Sequence, residues 1–396
     1  MPEQTLDSRP RVTISRRGAQ RLKAGHVWVY RSDILSDGGA PAGALVDVSD
    51  ERRKNLGTAL YSSASQIAIR LLSRDRVEDL EALIRQRIRQ AITYRQPLVH
   101  DTDAYRVVFS EADFLPGLIV DRYNDIVVFQ VLTQAMDAEL VRRAIVSEVD
   151  EQLKPLAMVE RVDSKIRDLE QLASRASGLV EGSKDATLIS MNGVRFHYHA
   201  LDGQKTGAFL DQRENYAAAA QYAHGEVLDV FCYQGGFALH LVKSCSKVTG
   251  VDSSRPALEA AERNAALNGY ELEWIEANAF DLLRDYAASG QQYDTIVLDP
   301  PAFAKSKRDL ETALRGYKEL NLRALKMLRP GGVLVSCSCS YHVGPTDFWQ
   351  VVAEAAQDVH RNLRVVENRS QARDHPVLLN VPETLYLKCL IAIVNY

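Results

Sequence analysis

The sequence has few cysteines and no pair of them at metal-ligand spacing. Its five cysteines all lie in the second half of the chain, and none stands in a CxxC motif. An odd number without that spacing argues against a disulfide framework and against a zinc site. Each cysteine is therefore expected to serve core packing or chemistry, and no metal is expected.

Long apolar runs and an excess of basic charge are also missing. No run approaches the length that spans a bilayer, and the first residues, MPEQTLDSRP, contain no signal-peptide core. We therefore expect a cytoplasmic protein that has no membrane partner. The formal net charge of −4 provides no overall attraction to nucleic acid, so a polyanion would have to meet a local basic patch.

Two nucleotide-binding fingerprints are absent as well. The chain contains neither GxGxxG nor a GxxxxGKS or GxxxxGKT motif, which argues against NAD and against ATP as ligands. Its 396 residues are too many for one ordinary domain, so two or three domains are expected. The hydrophobic fraction of 46% and the charged fraction of 25% are those of a soluble globular protein.

The stretch GEVLDVFCYQGG, at residues 225–236, is the most informative one. A short apolar run followed by a glycine pair and an apolar periodic segment predicts a buried strand, a tight turn and a helix. Such a turn lets the backbone approach a ligand closely. Further strand segments follow, most of them separated by helical segments: KVTGVDS, ELEWIEA, YDTIVLD, GGVLVSCS and LYLKCLIAIV. This alternation predicts a parallel sheet covered on both faces, with its ligands at the carboxyl ends of the strands.

Polar residues stand at those strand ends. Asp252 ends the second strand, where it would accept hydrogen bonds from ribose hydroxyls. The other interpretation is a helix N-cap, which Ser253 or Ser254 could provide instead, so we favour the ribose contact. Asn278 and Phe280 follow the third strand, where they could meet an adenine amino group and ring.

The fourth and fifth strands end in groups that can do chemistry. Asp299 precedes two prolines that fix a rigid turn, so its side chain is expected in the cleft. In the fifth strand, alternation puts Cys337 and Cys339 on one face, and Cys339 lies nearer the carboxyl end. We therefore interpret Cys339 as a nucleophile and Cys337 as core packing.

The first 190 residues contain no catalytic motif that we can defend. Short strands and basic residues beside Trp28 suit either an RNA-binding surface or a small barrel with Trp28 in its core, and composition does not separate the two. After residue 75, a helical stretch and several strands predict a small α+β domain that extends to about residue 190. The polar segment RASGLVEGSKDATLI predicts a connector or loop rather than core.

The strand-end motifs together resemble a known family. DVFCYQGGFAL, VDSS, LDPPAFAKSK and SCSCS are similar to the class I S-adenosylmethionine-dependent methyltransferase domain. With LKAGHVWVYRSDI, ADFLPGLIVDRY and KTGAFLDQR, the whole chain resembles the RlmI-type large-subunit ribosomal RNA cytosine-5 methyltransferases. The resemblance implies an α/β fold in three parts: an N-terminal β-barrel-like PUA RNA-binding domain at 1–75, a central α+β domain at 76–190 and a C-terminal Rossmann-like seven-stranded methyltransferase domain at 191–396.

The resemblance also implies a ligand and a partner. S-adenosyl-L-methionine would be the cofactor and large-subunit ribosomal RNA the substrate, while homodimer formation stays open. Asn278 stands where relatives often carry aspartate, so a weaker but similar contact to the adenine amino group is expected. The residues implied for the cofactor are Asp229, Phe231, Gly235, Gly236, Asp252, Ser253, Asn278, Ala279, Asp299 and Gln212. Those that would contact RNA are Arg16, Arg17, Lys23, Trp28, Arg31, Lys205 and Arg213.

The implied reaction begins with the Cys339 thiolate, which would add to carbon 6 of a cytosine and make carbon 5 nucleophilic. Asp299 would bond the base edge, and the sequence names no residue for removal of the carbon-5 proton. Ala302 stands where many RNA cytosine-5 methyltransferases have a second cysteine, so uridine-5 methylation is an alternative. Two others are an amino-group methyltransferase, which needs no cysteine, and a non-catalytic RNA-binding or ribosome-assembly factor.

Overall fold

A computed structural model describes residues 9–201, 208–304 and 306–395 of the chain. Their contacts divide the protein into two compact units. The first unit consists of Met1–Thr187, Tyr198–Ala208 and Asp374–Thr384, and the second of Leu188–His197, Phe209–Arg373 and Leu385–Tyr396, each through its described residues. Within the described part of the chain, no helix is both long and apolar enough to cross a membrane.

The first unit begins with a six-stranded sheet and one helix. The elements are β1 (Arg11–Ile14), α1 (Arg16–Lys23), β2 (Trp28–Tyr30), β3 (Ile34–Ser36), β4 (Leu45–Asp50), β5 (Asn55–Tyr61) and β6 (Ile67–Ser73). The strand order is β2-β6-β5-β4-β1-β3, and only the β1–β4 pair is parallel among the described pairs of this sheet. The Ser15 hydroxyl accepts the Gly18 N–H at the start of α1, and Ala19 and Leu22 of this helix belong to the core.

A second, five-stranded sheet follows in the same unit. The elements are α2 (Leu80–Arg95), β7 (Ala104–Phe109), β8 (Leu118–Tyr123), β9 (Ile126–Val131), α3 (Glu139–Leu153), β10 (Ala157–Glu160), α4 (Ser164–Leu169) and β11 (Gly178–Gly182). The strand order is β11-β10-β9-β8-β7. Helices α2 and α3 bury apolar side chains such as Ile88 and Ile145 in a core shared with the strands, as their amphipathic spacing predicts.

The prediction of a connector at RASGLVEGSKDATLI is wrong. The segment contains β11 and the start of β12 (Ala186–Met191), which forms a hairpin with β13 (Val194–His199). Strand β11 lies at a sheet edge and leaves most of its side chains exposed, while its backbone pairs with β10. A polar sequence can therefore form this strand, because main-chain hydrogen bonds rather than buried side chains hold it.

The second unit is built on a seven-stranded sheet covered by helices. The strands are β14 (Glu226–Val230), β15 (Lys247–Asp252), β16 (Glu273–Glu276), β17 (Tyr293–Leu298), β18 (Leu328–Ser338), β19 (Leu363–Arg369) and β20 (Lys388–Val394). The helices are α5 (Arg213–Tyr222), α6 (Gly236–Leu241), α7 (Arg255–Asn268), α8 (Ala279–Ser289), α9 (Leu310–Met327) and α10 (Pro345–Asp358). The order is β16-β15-β14-β17-β18-β20-β19, in which β14 to β18 are parallel and β20 runs antiparallel to both of its neighbours.

Strand order reverses between β14 and β17, because β15 and β16 extend the sheet on one side and β18 on the other. In open α/β sheets this reversal opens a crevice at the carboxyl ends, where ligands bind. The sequence segments predicted as strands correspond to six of these strands, and β19 is the addition. Like β11, β19 is an edge strand with mostly exposed side chains, which explains why apolar pattern does not reveal it.

The central strand β17 contributes to the cores on both faces of this sheet. Ile296 and Leu298 belong to the core on one face, whereas Val297 belongs to the core on the other, and all three are essentially inaccessible to solvent. Residues that alternate between two buried faces produce a continuous apolar run, and YDTIVLD has one.

Replacing Val297 with alanine is expected to lower the free energy of opening of β17 by about 2 kcal/mol, because it removes two buried methyl groups and leaves a cavity. Hydrogen exchange of the peptide that contains β17, followed by mass spectrometry, measures this change. The matched control is Val365→Ala in edge strand β19, where 40% exposure predicts a change within about 0.5 kcal/mol. Equal effects of the two substitutions would contradict the assigned sheet order.

Candidate active site

The glycine turn after β14 takes a backbone conformation that few residues adopt. Phe231, Tyr233 and Gly235 have φ angles of 67°, 48° and 86°, in the left-handed region. Gly236 opens helix α6, and a Cβ added there would come within 2.5 Å of the Tyr216 hydroxyl oxygen. The glycine pair is therefore required by the turn and by a neighbouring side chain, and the turn keeps the chain close to the end of β14.

Asp229 is the buried acid of this turn. It is fully inaccessible to solvent, and its Oδ2 accepts the Ala238 N–H at 2.8 Å. Burial raises its pKa to about 8, and the nearby carboxylates of Asp299 and Asp252 add to the effect. Its Oδ1 is buried and has no hydrogen-bond partner. A buried carboxylate oxygen of this kind can accept a hydrogen bond from a ligand donor, such as an ammonium group.

Asp252 lies at the end of β15, and its carboxylate accepts backbone N–H groups from the glycine turn and from the segment before α7. Its Oδ2 accepts the Tyr233 N–H at 3.0 Å and its Oδ1 accepts the Ser254 N–H at 2.9 Å. The cap of α7 is provided by Ser254, whose side chain accepts the Ala257 N–H. Ser253 is exposed beside them. Asp252 is thus fixed next to the glycine turn without being the helix cap.

Asn278 is itself a helix cap. Its Oδ1 accepts the N–H groups of Phe280 at 3.0 Å and Asp281 at 3.3 Å, at the start of α8. The adjacent Ala279 is buried, and the Phe280 ring lies 5.9 Å from the ring of Phe303. With its oxygen committed to the cap, Asn278 offers a ligand its NH₂ group, which donates hydrogen bonds. That geometry favours a contact to a ring nitrogen of adenine over the amino-group contact expected above.

Asp299 and Gln212 form one hydrogen-bonded unit. Gln212 is 3% exposed, and its Nε2 donates to Asp299 Oδ1 at 2.9 Å. Its Oε1 accepts from Asn215 Nδ2 at 2.7 Å, which orients the amide. The Asp299 N–H donates to the carbonyl of Val230, at the start of the glycine turn. The structure therefore brings Gln212, Asp299 and the glycine turn to one place.

Cys339 directly follows β18, while Cys337 lies within it. Cys337 is fully buried opposite Cys389 of β20, and burial raises its pKa well above the ordinary value. Cys339 is half-buried, and its thiol contacts the Pro300 carbonyl oxygen with a sulfur–oxygen distance of 3.7 Å. The side chain predicted as nucleophile thus lies at the Asp-Pro-Pro turn, and the one predicted as packing lies in the core.

Three residues that the sequence analysis did not identify hold the Asp-Pro-Pro turn to the end of β18: Ser340, Tyr317 and Lys388. The Ser340 hydroxyl oxygen accepts the N–H groups of Phe303 at 3.0 Å and Ala304 at 3.2 Å, and it lies 2.8 Å from the Tyr317 hydroxyl. Lys388 donates from Nζ to the Ser340 carbonyl at 2.7 Å. Of the three, only Lys388 has a signal in the sequence, because a lysine inside the apolar run LYLKCLIAIV is unusual.

Three of the basic residues that were predicted to contact RNA lie on helix α1 of the first unit. Arg16, Arg17 and Lys23 are exposed on α1, where Arg17 also pairs with Asp33 and Lys23 with Asp50. Exposed charges of this kind remain available to a polyanion, since surface ion pairs are weak.

The other predicted RNA contacts differ in exposure. Trp28 is half-buried and donates from Nε1 to Glu111 at 3.0 Å. Arg31 donates to the carbonyls of Ser62 and Ser65, and Arg213, in the second unit, is 2% exposed. Lys205 lies outside the described residues. Among residues 9–201, 208–304 and 306–395, no group of three or more His, Cys, Asp or Glu is arranged to hold a metal ion.

Comparison with known proteins agrees with this fold. The model of the S-adenosylmethionine-dependent methyltransferase family matches residues 171–390, and that of the PUA-like domain matches residues 12–74. A Streptococcus mutans protein described as a SAM-dependent methyltransferase has the same fold, with a TM-score of 0.82 at 19% identity over 97% of this chain and 100% of that one. The family match and the fold define an S-adenosylmethionine-dependent methyltransferase, which confirms the predicted fold class and cofactor.

Relatives with higher sequence identity show to which family of methyltransferases the chain belongs. Proteins named ribosomal RNA large subunit methyltransferase I are 37% identical in Klebsiella pneumoniae, over 96% of this chain and 97% of the relative, and 39% identical in Tolumonas auensis, over 92% and 94%. The chain belongs to the family of ribosomal RNA large subunit methyltransferase I. The resemblance stated from the sequence is thereby confirmed.

The raised pKa of Asp229, together with the proposed contact to the cofactor, predicts that cofactor binding releases a proton. With a pKa of about 8, its carboxyl is mostly protonated at about pH 7, and the ammonium group of the cofactor favours the ionised form. Binding therefore shifts the acid toward ionisation, and affinity is expected to rise as pH increases toward about 8. Calorimetry in buffers of different ionisation enthalpy counts the released proton.

The control for this titration is Asp229→Asn, which keeps the shape of the side chain and cannot ionise. We expect weaker binding of S-adenosylmethionine and no proton release from this variant. A wild-type protein that binds the cofactor with no proton release at any pH between about 6 and 8 would rule out the interpretation of Asp229.

Proposed function

We propose that this protein transfers a methyl group from S-adenosylmethionine to carbon 5 of a cytosine in large-subunit ribosomal RNA, through a covalent bond between Cys339 and the base. The observation that carries the proposal is the position of the half-buried Cys339 thiol at the Asp-Pro-Pro turn, beside the glycine turn of a methyltransferase fold. The relatives named ribosomal RNA large subunit methyltransferase I support the substrate class.

The cofactor would be held along the ends of the parallel strands. The unpartnered Oδ1 of Asp229 and the glycine pair fit the methionine end of the ligand, since the oxygen needs a donor. When bound, the cofactor supplies an electrophilic methyl group. In this proposal Asp229, Phe231, Gly235 and Gly236 hold the methionine part, Asp252 and Ser253 the ribose, Asn278 and Ala279 the adenine, and Gln212 with Asp299 closes the site.

The Cys339 thiolate is needed because carbon 5 of cytosine is a poor nucleophile. Addition of sulfur to carbon 6 forms an S–C6 bond and moves the ring π electrons to carbon 5, which can then attack the methyl carbon. Asp299 bonds the edge of the base and stabilises charge as it develops. Loss of the carbon-5 proton then restores the ring double bond and expels the thiolate.

The first unit would dock the RNA through the exposed cations of α1. Arg16, Arg17 and Lys23 are accessible there, and the family model of a PUA-like domain covers this sheet. The target base must leave its stack to reach a thiol at a strand end, so a single-stranded or flipped cytosine is the proposed substrate. Trp28 is proposed to support this surface, whereas the backbone carbonyls bound by Arg31 and the burial of Arg213 favour structural roles for these two arginines.

Three further features belong to the proposal. The proposed boundary near residue 75 falls between the end of β6 at Ser73 and the start of α2 at Leu80, whereas the one near residue 190 falls within β12. We place the protein in the cytoplasm, where its proposed RNA substrate is made and assembled. A homodimer stays a prediction that light scattering of the purified protein checks.

Replacing Cys339 with alanine is expected to reduce methyl transfer to ribosomal RNA by about a thousandfold or more, because no other group replaces the nucleophile. The assay is mass-spectrometric mapping of ribosomal RNA from cells that lack the gene, complemented with each variant. Cys245→Ala, at a half-exposed thiol outside the site, is the control and should restore the methyl-cytosine. Full restoration by Cys339→Ala would favour the amino-group methyltransferase instead.

The same experiment separates the remaining alternatives. A methyl group found on a uridine would replace cytosine as the target, and an unchanged RNA map with intact cofactor binding would favour a non-catalytic factor. An RNA that carries 5-fluorocytidine at the target site tests the covalent step, since fluorine at carbon 5 leaves no proton to remove and the adduct persists. The wild type should form a denaturant-resistant adduct, and Cys339→Ala should form none.

The basic surface of α1 predicts a change in the salt dependence of RNA binding. Arg16→Ala combined with Lys23→Ala is expected to lower the slope of log affinity against log salt by about 1 to 2, because each lost phosphate contact contributes about 0.7 to 0.9. Filter binding to a ribosomal RNA fragment at several salt concentrations measures the slope. The control pair, Arg315→Ala with Lys326→Ala on exposed α9, should leave it unchanged; equal losses would reject α1 as the docking surface.

A further inference from the structure

We propose that Lys388 is a positioning residue whose ammonium group holds the Cys339 side chain as a thiolate, a role that rests on the proposed function of Cys339 as nucleophile. Lys388 begins β20 and lies opposite Ser338, the last residue of β18. The strand pairing therefore brings a cation to the turn that carries Cys339.

The lysine side chain is held rigidly by backbone groups. It is 6% exposed, and Nζ donates to the Ser340 carbonyl at 2.7 Å and to the Tyr386 carbonyl at 2.9 Å. Ser340 is the residue directly after Cys339. An ammonium group has three donors, so two of them anchor the charge at the residue after Cys339 and one is left for an anion.

The buried charge of Lys388 needs an anion. None of the ion pairs found between described residues joins Lys388 to a carboxylate. Burial lowers its pKa to about 8, and negative charge on Cys339 acts in the opposite direction. A thiolate at Cys339 therefore favours the ammonium form, and the attraction is mutual because both charges belong to the same pair.

The other groups around Cys339 work against a thiolate. The Pro300 carbonyl accepts the S–H and so favours the neutral thiol. Asp299 ends the neighbouring strand β17 with a negative charge. Tyr317 of α9 reaches Ser340, and its pKa is raised by burial and further by charge on Cys339. Among these groups Lys388 carries the positive charge, at the carbonyl of the residue after Cys339.

The proton balance assigns Lys388 an electrostatic role. Below about pH 8 the lysine already carries its proton, so the Cys339 proton passes to solvent and the ammonium group remains as counter-ion. No bond to the lysine forms or breaks. The same charge faces the sulfur when the S–C6 bond breaks and the electron pair returns to it.

The test is the pH dependence of Cys339 alkylation by iodoacetamide, read by mass spectrometry of the peptide that contains it. Lys388→Met is expected to raise the midpoint of the Cys339 curve by on the order of one to two pH units. The half-exposed Cys245 is an internal control whose curve should not move. Lys388→Arg keeps the charge and should stay near the wild type, and Lys318→Met, which removes a surface cation of α9, should have no effect.

Two results would overturn the proposal: an unchanged Cys339 midpoint in Lys388→Met, or equal shifts at Cys339 and Cys245. If Lys388→Met does not fold, the wild type still decides, since a Cys339 midpoint at or above that of Cys245 would reject a stabilised thiolate. The readout needs no RNA. A wild type that alkylates as expected and does not methylate ribosomal RNA would defeat the proposed function while leaving the ion pair intact.

Discussion

The pairing of β17 with β14 on one side and β18 on the other is the constraint on which the site depends. Leu298 lies beside Val230 and Ser336 in this register, so the three strands end at nearly the same level. Asp299 therefore meets the glycine turn and lies close to the end of β18, where Cys339 follows. A shift of one residue in the strand pairing would turn every side chain of a strand to the other face of the sheet. The Cys339 thiol would then move away from Asp299.

That convergence creates a site with two opposite electrostatic demands. Three carboxyl groups, those of Asp229, Asp252 and Asp299, meet at the strand ends, and in our proposal the sulfonium and ammonium groups of the cofactor favour their ionised forms. Their negative charge disfavours a thiolate a few residues away. In our proposal the antiparallel strand β20 resolves the conflict, because its pairing with β18 brings the Lys388 ammonium group to the carbonyl of Ser340, next to Cys339. The reversed strand of the sheet is thus part of the chemistry as well as of the fold.

The sequence was sufficient for those parts of the fold whose residues are buried. Alternating strands and helices predict the parallel sheet, and residue type at each strand end predicts Asp252, Asp299 and Cys339. The edge strands β11 and β19 were missed because backbone pairing, not apolar pattern, defines them. Lys388 was missed for a similar reason, since its partners are the carbonyls of Ser340 and Tyr386, whose direction no residue type reveals.

Several side chains of the proposed site already make structural hydrogen bonds. The number of donors and acceptors that each side chain has left determines what it can offer a ligand. Asp252 accepts one N–H on each oxygen and keeps further lone pairs for a ribose. Asn278 has a single oxygen, which two helix N–H groups occupy, so only its NH₂ group faces a ligand. Exchange of aspartate for asparagine therefore reverses the direction of the hydrogen bond offered to adenine. The proposed contact of Asn278 with adenine is therefore limited to its NH₂ group, because the helix cap already uses the oxygen.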